Sequence, residues 1–306
     1  MYNDNKILPK GLVESQFLED CSKFDDDGLI EKYNVSYRTI KRWKQRIREN
    51  EDEIMTMSFP ESPSPQCLDY LKLDYERLII IGDVEIPDHD PVLLEMVARL
   101  AEKLGIERLL INGDFMAMDA FSNWPAENPQ ATNFNRDKSL AIKIIKTFLN
   151  SFDTVDYIIG NHERRLARQT KGQSNIGMFF EHVLEVQYSN YPYCELTSGG
   201  KEILICHQED YSRTPLQAPL KLAAIHHKNI LCGHTHRLAS GFDPSGKYWV
   251  AEGGHGRSEE RTMYKCMKMA SNPKWNKGFS IIYKGQIYLI NKENYDFWIN
   301  NVNLGR

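Results

Sequence analysis

With 306 residues, 41% of them hydrophobic and 26% charged, the chain has ordinary globular composition and room for one large domain plus a small one. A formal net charge of −4 excludes a wholesale polyanion-binding surface while leaving room for a local basic patch. Six cysteines without a Cys-x-x-Cys pair, no basic-then-apolar leader at the start and no apolar stretch of spanning length predict a soluble, cytoplasmic protein in a reducing compartment.

The first predicted elements are helical and run from about Leu12 to Arg48. Gly28–Tyr33 reads as a short helix, Asn34-Val35-Ser36 as a turn in which Ser36 can cap, and Tyr37–Arg48 as a second helix. Ile40, Trp43 and Ile47 form one apolar stripe on it. The remainder is basic, with Arg38, Lys41, Arg42, Lys44, Arg46 and Arg48 and no acid among them. A short helix, a tight turn and a basic second helix resemble a helix-turn-helix head, similar to those of phage and transposase-type proteins. That resemblance implies DNA as a partner, contacted by Arg38, Lys41, Arg42, Lys44 and Arg46, and is compatible with a homodimer. The bland alternative is a solvated basic helix. Residues 51–76, acidic and then rich in Pro and Ser, read as a linker between a head (1–50) and a large domain (77–306).

The large domain opens with the apolar run Leu78–Asp83, followed by a helix over Pro91–Leu104 that Gly105 ends. Leu109–Asp114 is the next strand, a helix follows over about Asp137–Asn150, and Tyr157–Ile159 runs into Gly160-Asn161-His162-Glu163. Ile203–His207 and Ile230–His236 repeat the design, and Phe279–Tyr283 with Gln286–Ile290 reads as a hairpin. Apolar runs without alternation suit strands covered on both faces, and in such sheets functional groups gather at the carboxyl ends of the strands. Asp83, Asp114, Asn161, His207, His234 and His236 are therefore expected along one edge of one sheet.

Taken in order, Gly82-Asp83, Gly113-Asp114, Gly160-Asn161-His162-Glu163, the isolated His207 and Gly233-His234-Thr235-His236 resemble the calcineurin-like metallophosphoesterases, in a version similar to phage and bacterial members. The likeness runs from about Leu78 to Gly254. It implies an α/β fold, a four-layer α/β/β/α sandwich, here with a small all-α N-terminal domain, and two divalent metal ions at the sheet edge. One ion would be held by Asp83, Glu85, Asp114 and His236, the other by Asp114, Asn161, His207 and His234. Mixed oxygen and imidazole ligands suit Mn best, with Mg, Fe or Zn compatible. The resemblance implies that His162 faces the substrate, with Arg164, Arg165 and Arg168 available for its phosphates or simply forming a solvated face.

Two positions depart from the family pattern. Glu85 stands where a His is usual, so the first site is expected to be altered but retained, with His89 as a substitute donor. Ala117 occupies the slot of a common acid, leaving Asp119 as the residue expected to orient His162. The Asp-Arg-Gly of the protein phosphatases is absent. The expected activity is metal-dependent hydrolysis of phosphodiesters in DNA; the alternatives are a phosphomonoesterase acting on protein or nucleotide, and a DNA-binding scaffold with a decayed site.

Overall fold

A computed structural model describes residues 14–56, 70–123, 133–209, 212, 214–261 and 275–305. The chain divides into two compact units, Met1–Leu68 and Asp69–Arg306.

In the first unit, helices α1 (Glu14–Lys23), α2 (Asp26–Tyr33) and α3 (Tyr37–Thr56) enclose a core of Phe17, Leu29, Ile40, Trp43 and Ile47. The apolar stripe read from the sequence is thus the buried face of α3. Asp25 starts α2 by accepting from the Gly28 amide at 2.9 Å, and Asn34, at a left-handed φ of 48°, ends it. Ser36 Oγ accepts from the Thr39 amide at 3.3 Å, the capping role expected of it. One expectation is corrected here. Glu51-Asp52-Glu53 does not begin a linker but continues α3, since nothing in that acidic run breaks a helix. The Pro/Ser-rich part of the expected linker, 57–69, lies outside the described residues.

In the second unit, two six-stranded sheets pack face to face. The first has β2 (Arg77–Ile81), β3 (Arg108–Asn112), β4 (Thr154–Ile158) and β5 (Val186–Ser189) parallel in that order, with the hairpin β11 (Phe279–Tyr283)–β12 (Gln286–Ile290) added antiparallel beside β2. The second runs β1 (Lys72–Asp74), β6 (Tyr193–Ser198), β7 (Lys201–Cys206), β8 (Asn229–Cys232), β10 (Trp249–Gly253) and β9 (Leu238–Phe242), with β7, β8 and β10 parallel. Strand β1 therefore falls inside the stretch read as linker. Residues alternate between two cores: Leu78, Ile80, Leu110 and Ile158 meet Leu196, Ile203, Ile205 and Leu231 of the other sheet, while Ile79, Ile81, Leu109, Ile111 and Tyr157 pack under α4 (Pro91–Leu104) and α5 (Phe134–Phe148). On the far side Leu204, Ile230 and Val250 pack against α6 (Gln217–His226). The layers are therefore α/β/β/α. Burial on both faces is why the strands lack polar alternation, and each enclosed Leu or Ile contributes about 1.5–3 kcal/mol.

Parallel strands place their carboxyl ends together. Asp83, Asp114 and Asn161 follow β2, β3 and β4 of the first sheet; His207, His234 and His236 follow β7 and β8 of the second. The expectation of one edge of one sheet is corrected: the edge is shared by two sheets, because apolar runs alone do not say which strands pair.

Among the described residues no helix is long and apolar enough to cross a membrane.

Candidate metal centre

The turns that follow these strands are unusual. Asp83, Glu85, Asp114, His234 and His236 all have positive φ, between 48° and 77°, a region that non-glycine residues enter at a cost. Five strained positions in one place mark a site held by its surroundings. The two motif glycines explain how the turns approach so closely: a Cβ at Gly160 would collide with the Asp114 carboxylate, and one at Gly113, φ 71°, would lie 2.5 Å from the His207 ring.

The side chains converge. Ligand atoms of Asp114, His207 and His234 lie within 4.8 Å of one another, as do those of Glu85, Asp114 and His162. Asp114 belongs to both groups. His236 Nε2 is 3.2 Å from Asp83 Oδ1 and 3.1 Å from Glu85 Oε1, so Asp83 and His236 join the Glu85 side. Main-chain amides fix the carboxylates: His234 N donates to Asp83 Oδ2 at 3.0 Å, and His162 N to Asp114 Oδ1 at 2.8 Å.

His207 supplies a direct test of whether a cation fits. Its Nδ1 is 2.8 Å from the Asn112 carbonyl oxygen, which can only accept, so Nδ1 carries the proton and a neutral ring leaves Nε2 bare. That bare nitrogen is buried without a hydrogen bond, yet lies 3.2 Å from Asp114 Oδ2 and 4.0 Å from Asp83 Oδ1. Asp83 Oδ1 and Asn161 Oδ1 are likewise buried without a hydrogen bond. Bare acceptors facing one another need a positive charge between them: a proton or a metal ion. Without a metal the proton takes the place, and although burial disfavours it, Asp114 and Asp83 raise His207 to about 10; Asp83 and Glu85 raise His236 to about 10 in the same way. Burial would push the Asp114 carboxyl up, but the His162 and His207 rings hold it well below the usual carboxylate range. His234 shifts down, through burial and the neighbouring His207 charge, and stays a neutral donor. Oxygen and imidazole donors with unsatisfied lone pairs fit divalent ions.

Two residues essential to this geometry escaped the sequence reading. Glu163, read from the sequence only as the last residue of the Gly-Asn-His-Glu run, is buried beneath the site: Oε2 accepts from the amides of Asp114 (2.9 Å) and Gly160 (2.8 Å), and Oε1 from the Met116 amide (3.0 Å) and the Tyr157 hydroxyl (2.9 Å). Its place in the Gly-Asn-His-Glu run was the available signal. The second is Arg257, which the sequence did not flag at all and which pairs with Glu85.

Other expectations change. Asp119 does not reach His162; it sits on an exposed 3-10 turn and pairs with Arg165 at 2.9 Å, while His162 Nδ1 has no hydrogen-bond partner. Met118, at a left-handed φ of 52°, turns the chain between Ala117 and Asp119, and the Ala117 carbonyl also accepts from Arg165 at 2.7 Å. Arg164 turns to Glu209 at 2.6 Å. Arg168 shares Glu209 at 3.3 Å, and Arg165 and Arg168 also line a cleft of about 180 Å³ with Asn161, Phe121, Asn123 and Gln169. His89 Nδ1 lies 3.1 Å from the Pro87 carbonyl oxygen, and His89 belongs to neither group of converging ligand atoms, so it does not take the substitute role expected of it. On α3, Arg38 and Lys41 are exposed and Arg42 and Arg46 half-buried, whereas Lys44 is paired with Asp26 at 2.6 Å.

No family model matches the chain, and no curated protein does. Solved structures overlay part of it. Zinc-complexed Vps29 from Entamoeba histolytica is 13% identical, with 70% of this chain and 97% of that one covered and a TM-score of 0.37. Vps29 from Chaetomium thermophilum is 12% identical, covering 68% and 81% with a TM-score of 0.38. A predicted phosphoesterase from Streptococcus pneumoniae is 12% identical, covering 71% and 98% with a TM-score of 0.32. Overlap at this level says nothing of what this chain binds or turns over.

Proposed function

We propose that the chain is a dinuclear-metal phosphodiesterase acting on DNA. The observation that carries the reading is the buried, bare His207 Nε2, 3.2 Å from Asp114 Oδ2 and 4.0 Å from the equally bare Asp83 Oδ1, with Asp114 shared between two groups of ligand atoms. Asp83, Glu85, Asp114 and His236 would hold one ion and Asp114, Asn161, His207 and His234 the other, with Mn preferred. Bound there, two divalent ions supply Lewis-acid charge that polarises a phosphoryl group and activates water for in-line attack. The chain's own residues do the rest. His162, its ring 3.7 Å from Asp114 Oδ2, would protonate the leaving oxygen as the P–O bond breaks. Arg165 and Arg168 line the cleft with Asn161 and would exchange Asp119 and Glu209 for the phosphates of a flanking polyanion.

DNA is favoured over a small ester by the three-helix head. Its α3 buries one stripe and turns Arg38 and Lys41 to solvent after a short helix and a tight turn, as a helix-turn-helix recognition helix does. The test is hydrolysis of single- and double-stranded DNA with Mn, beside p-nitrophenyl phosphate and its bis ester, in wild type and Asp114→Asn. DNA cleavage that disappears in the variant supports the proposal. Turnover of the monoester alone makes the protein a phosphomonoesterase, and bound DNA without turnover of any ester makes it a scaffold.

A further inference from the structure

The segment after β10 is stitched to the loop that carries Asp83 and Glu85. Gly256 N donates to the Gly82 and Asp83 carbonyls (both 3.1 Å), Asp90 N to Gly256 O (2.8 Å) and Ser258 N to Asp88 O (2.7 Å). Gly256 packs so tightly that a Cβ would lie 2.9 Å from Val84 Cγ2. These bonds fix the backbone on both sides of Arg257, whose side chain is buried, 6% exposed, inside the large unit. One guanidinium nitrogen, Nη1, pairs with Glu85 Oε2 and the other, Nη2, with Asp88 Oδ2 at 2.7 Å.

An arginine cannot give up its charge, so burying it demands anionic partners, and its rigid fork fixes their geometry. With Oε2 of Glu85 taken by Arg257, only Oε1 faces the centre, 3.1 Å from His236 Nε2. Three carboxylates, Asp83, Glu85 and Asp114, line the centre; the guanidinium, shared between Glu85 and Asp88, offsets part of the Glu85 charge.

We infer that Arg257 is the positioning residue of the first metal site: it holds Glu85 as a one-oxygen ligand and acts on the ion only through that carboxylate. The inference rests on the two-ion reading above and concerns only the ion on the Glu85 side. Groups of this kind behind a ligand are typically worth about 10–100-fold in metal affinity.

The experiment is a Mn²⁺ titration of the full chain followed by electron paramagnetic resonance, which counts bound ions without turnover. Wild type should bind two. Arg257→Gln should bind one ion as before and the other about 10–100-fold more weakly. Arg257→Lys, which keeps the charge and loses the fork, should recover part of the loss. In Glu85→Gln the same ion should weaken, and adding Arg257→Gln to it should cost nothing further, since the carboxylate through which the arginine acts is already gone. Asp88→Asn, which removes one anchor of Arg257 without touching Glu85, should weaken the same ion more mildly and carries the test should Arg257→Gln fail to fold. Two ions in wild type with Arg257→Gln unchanged, with both ions weakened equally, or with additive losses in the double variant, would overturn the inference and leave the metal reading standing. No bound ion in wild type would overturn the metal reading and this inference with it.

Discussion

Glu163→Gln tests whether the catalytic turns are held by one buried carboxylate. The native group accepts four hydrogen bonds, two at each oxygen, from three main-chain amides and the Tyr157 hydroxyl. A glutamine of the same shape must point its NH2 at two of those donors. The least costly orientation places it on the Oε1 side, where the Tyr157 hydroxyl can rotate and accept, but the Met116 amide cannot. One buried amide is then stranded, at about 1–3 kcal/mol, and the two remaining bonds lose their charge assistance, so the total is about 2–4 kcal/mol. Urea unfolding of the metal-free chain should show that loss in the transition of the large unit. Since the amides of Asp114 and Gly160 anchor the turns bearing Asp114 and Asn161, Mn²⁺ binding should weaken as well. An unchanged midpoint together with unchanged metal affinity would refute the view that Glu163 sets the geometry of the site.

Asp156 lies between the sheets with neither carboxylate oxygen hydrogen-bonded, and burial, against the pull of Tyr75 and Arg108, pushes it up to about 6. Its folded value is raised, so the neutral acid is favoured in the native state. Its contribution to stability is full below the unfolded value of about 3.9 and lost as pH rises through about 6, a fall of roughly 3 kcal/mol. Asp156→Asn should flatten that part of the stability–pH curve measured by chemical denaturation; a curve identical to wild type counts against it. His207 and His236, raised to about 10, hold protons in the metal-free chain at neutral pH, so metal must displace them. Calorimetric titration with Mn²⁺ in buffers of different ionisation enthalpy should show proton release on binding, with affinity rising with pH; binding without proton release would contradict the assignment. In the metal-free chain these raised imidazoles stabilise the fold fully below about 6.5, and that contribution disappears as pH climbs through about 10.

Much of this protein was legible in its sequence because the signals are local. Uninterrupted apolar runs ending in Asp, Asn or His state that a buried strand stops at a polar turn, and the structure places β2, β3, β4, β7 and β8 there. Ile40, Trp43 and Ile47 share one helical face by spacing alone, and Ser36 caps by being next to the helix. Even the glycines of Gly113-Asp114 and Gly160-Asn161 are local signs of turns too tight for a side chain.

Other features were decided by distance in space. Which strands share a sheet depends on the order of pairing, so the five ligand-bearing strand ends fell on two sheets rather than one. Asp119 was judged by its nearness in sequence to Asp114, but the turn direction after Ala117 sends it to Arg165. Lys44 read as one more cation on a basic helix until the fold set Asp26 beside it. Arg257 lies 172 positions from Glu85, and nothing in its neighbours along the chain identifies its partner. Spacing records what one element does with its own faces; the pairing of buried charges is settled only when separate elements meet in a core where neither charge has water to turn to.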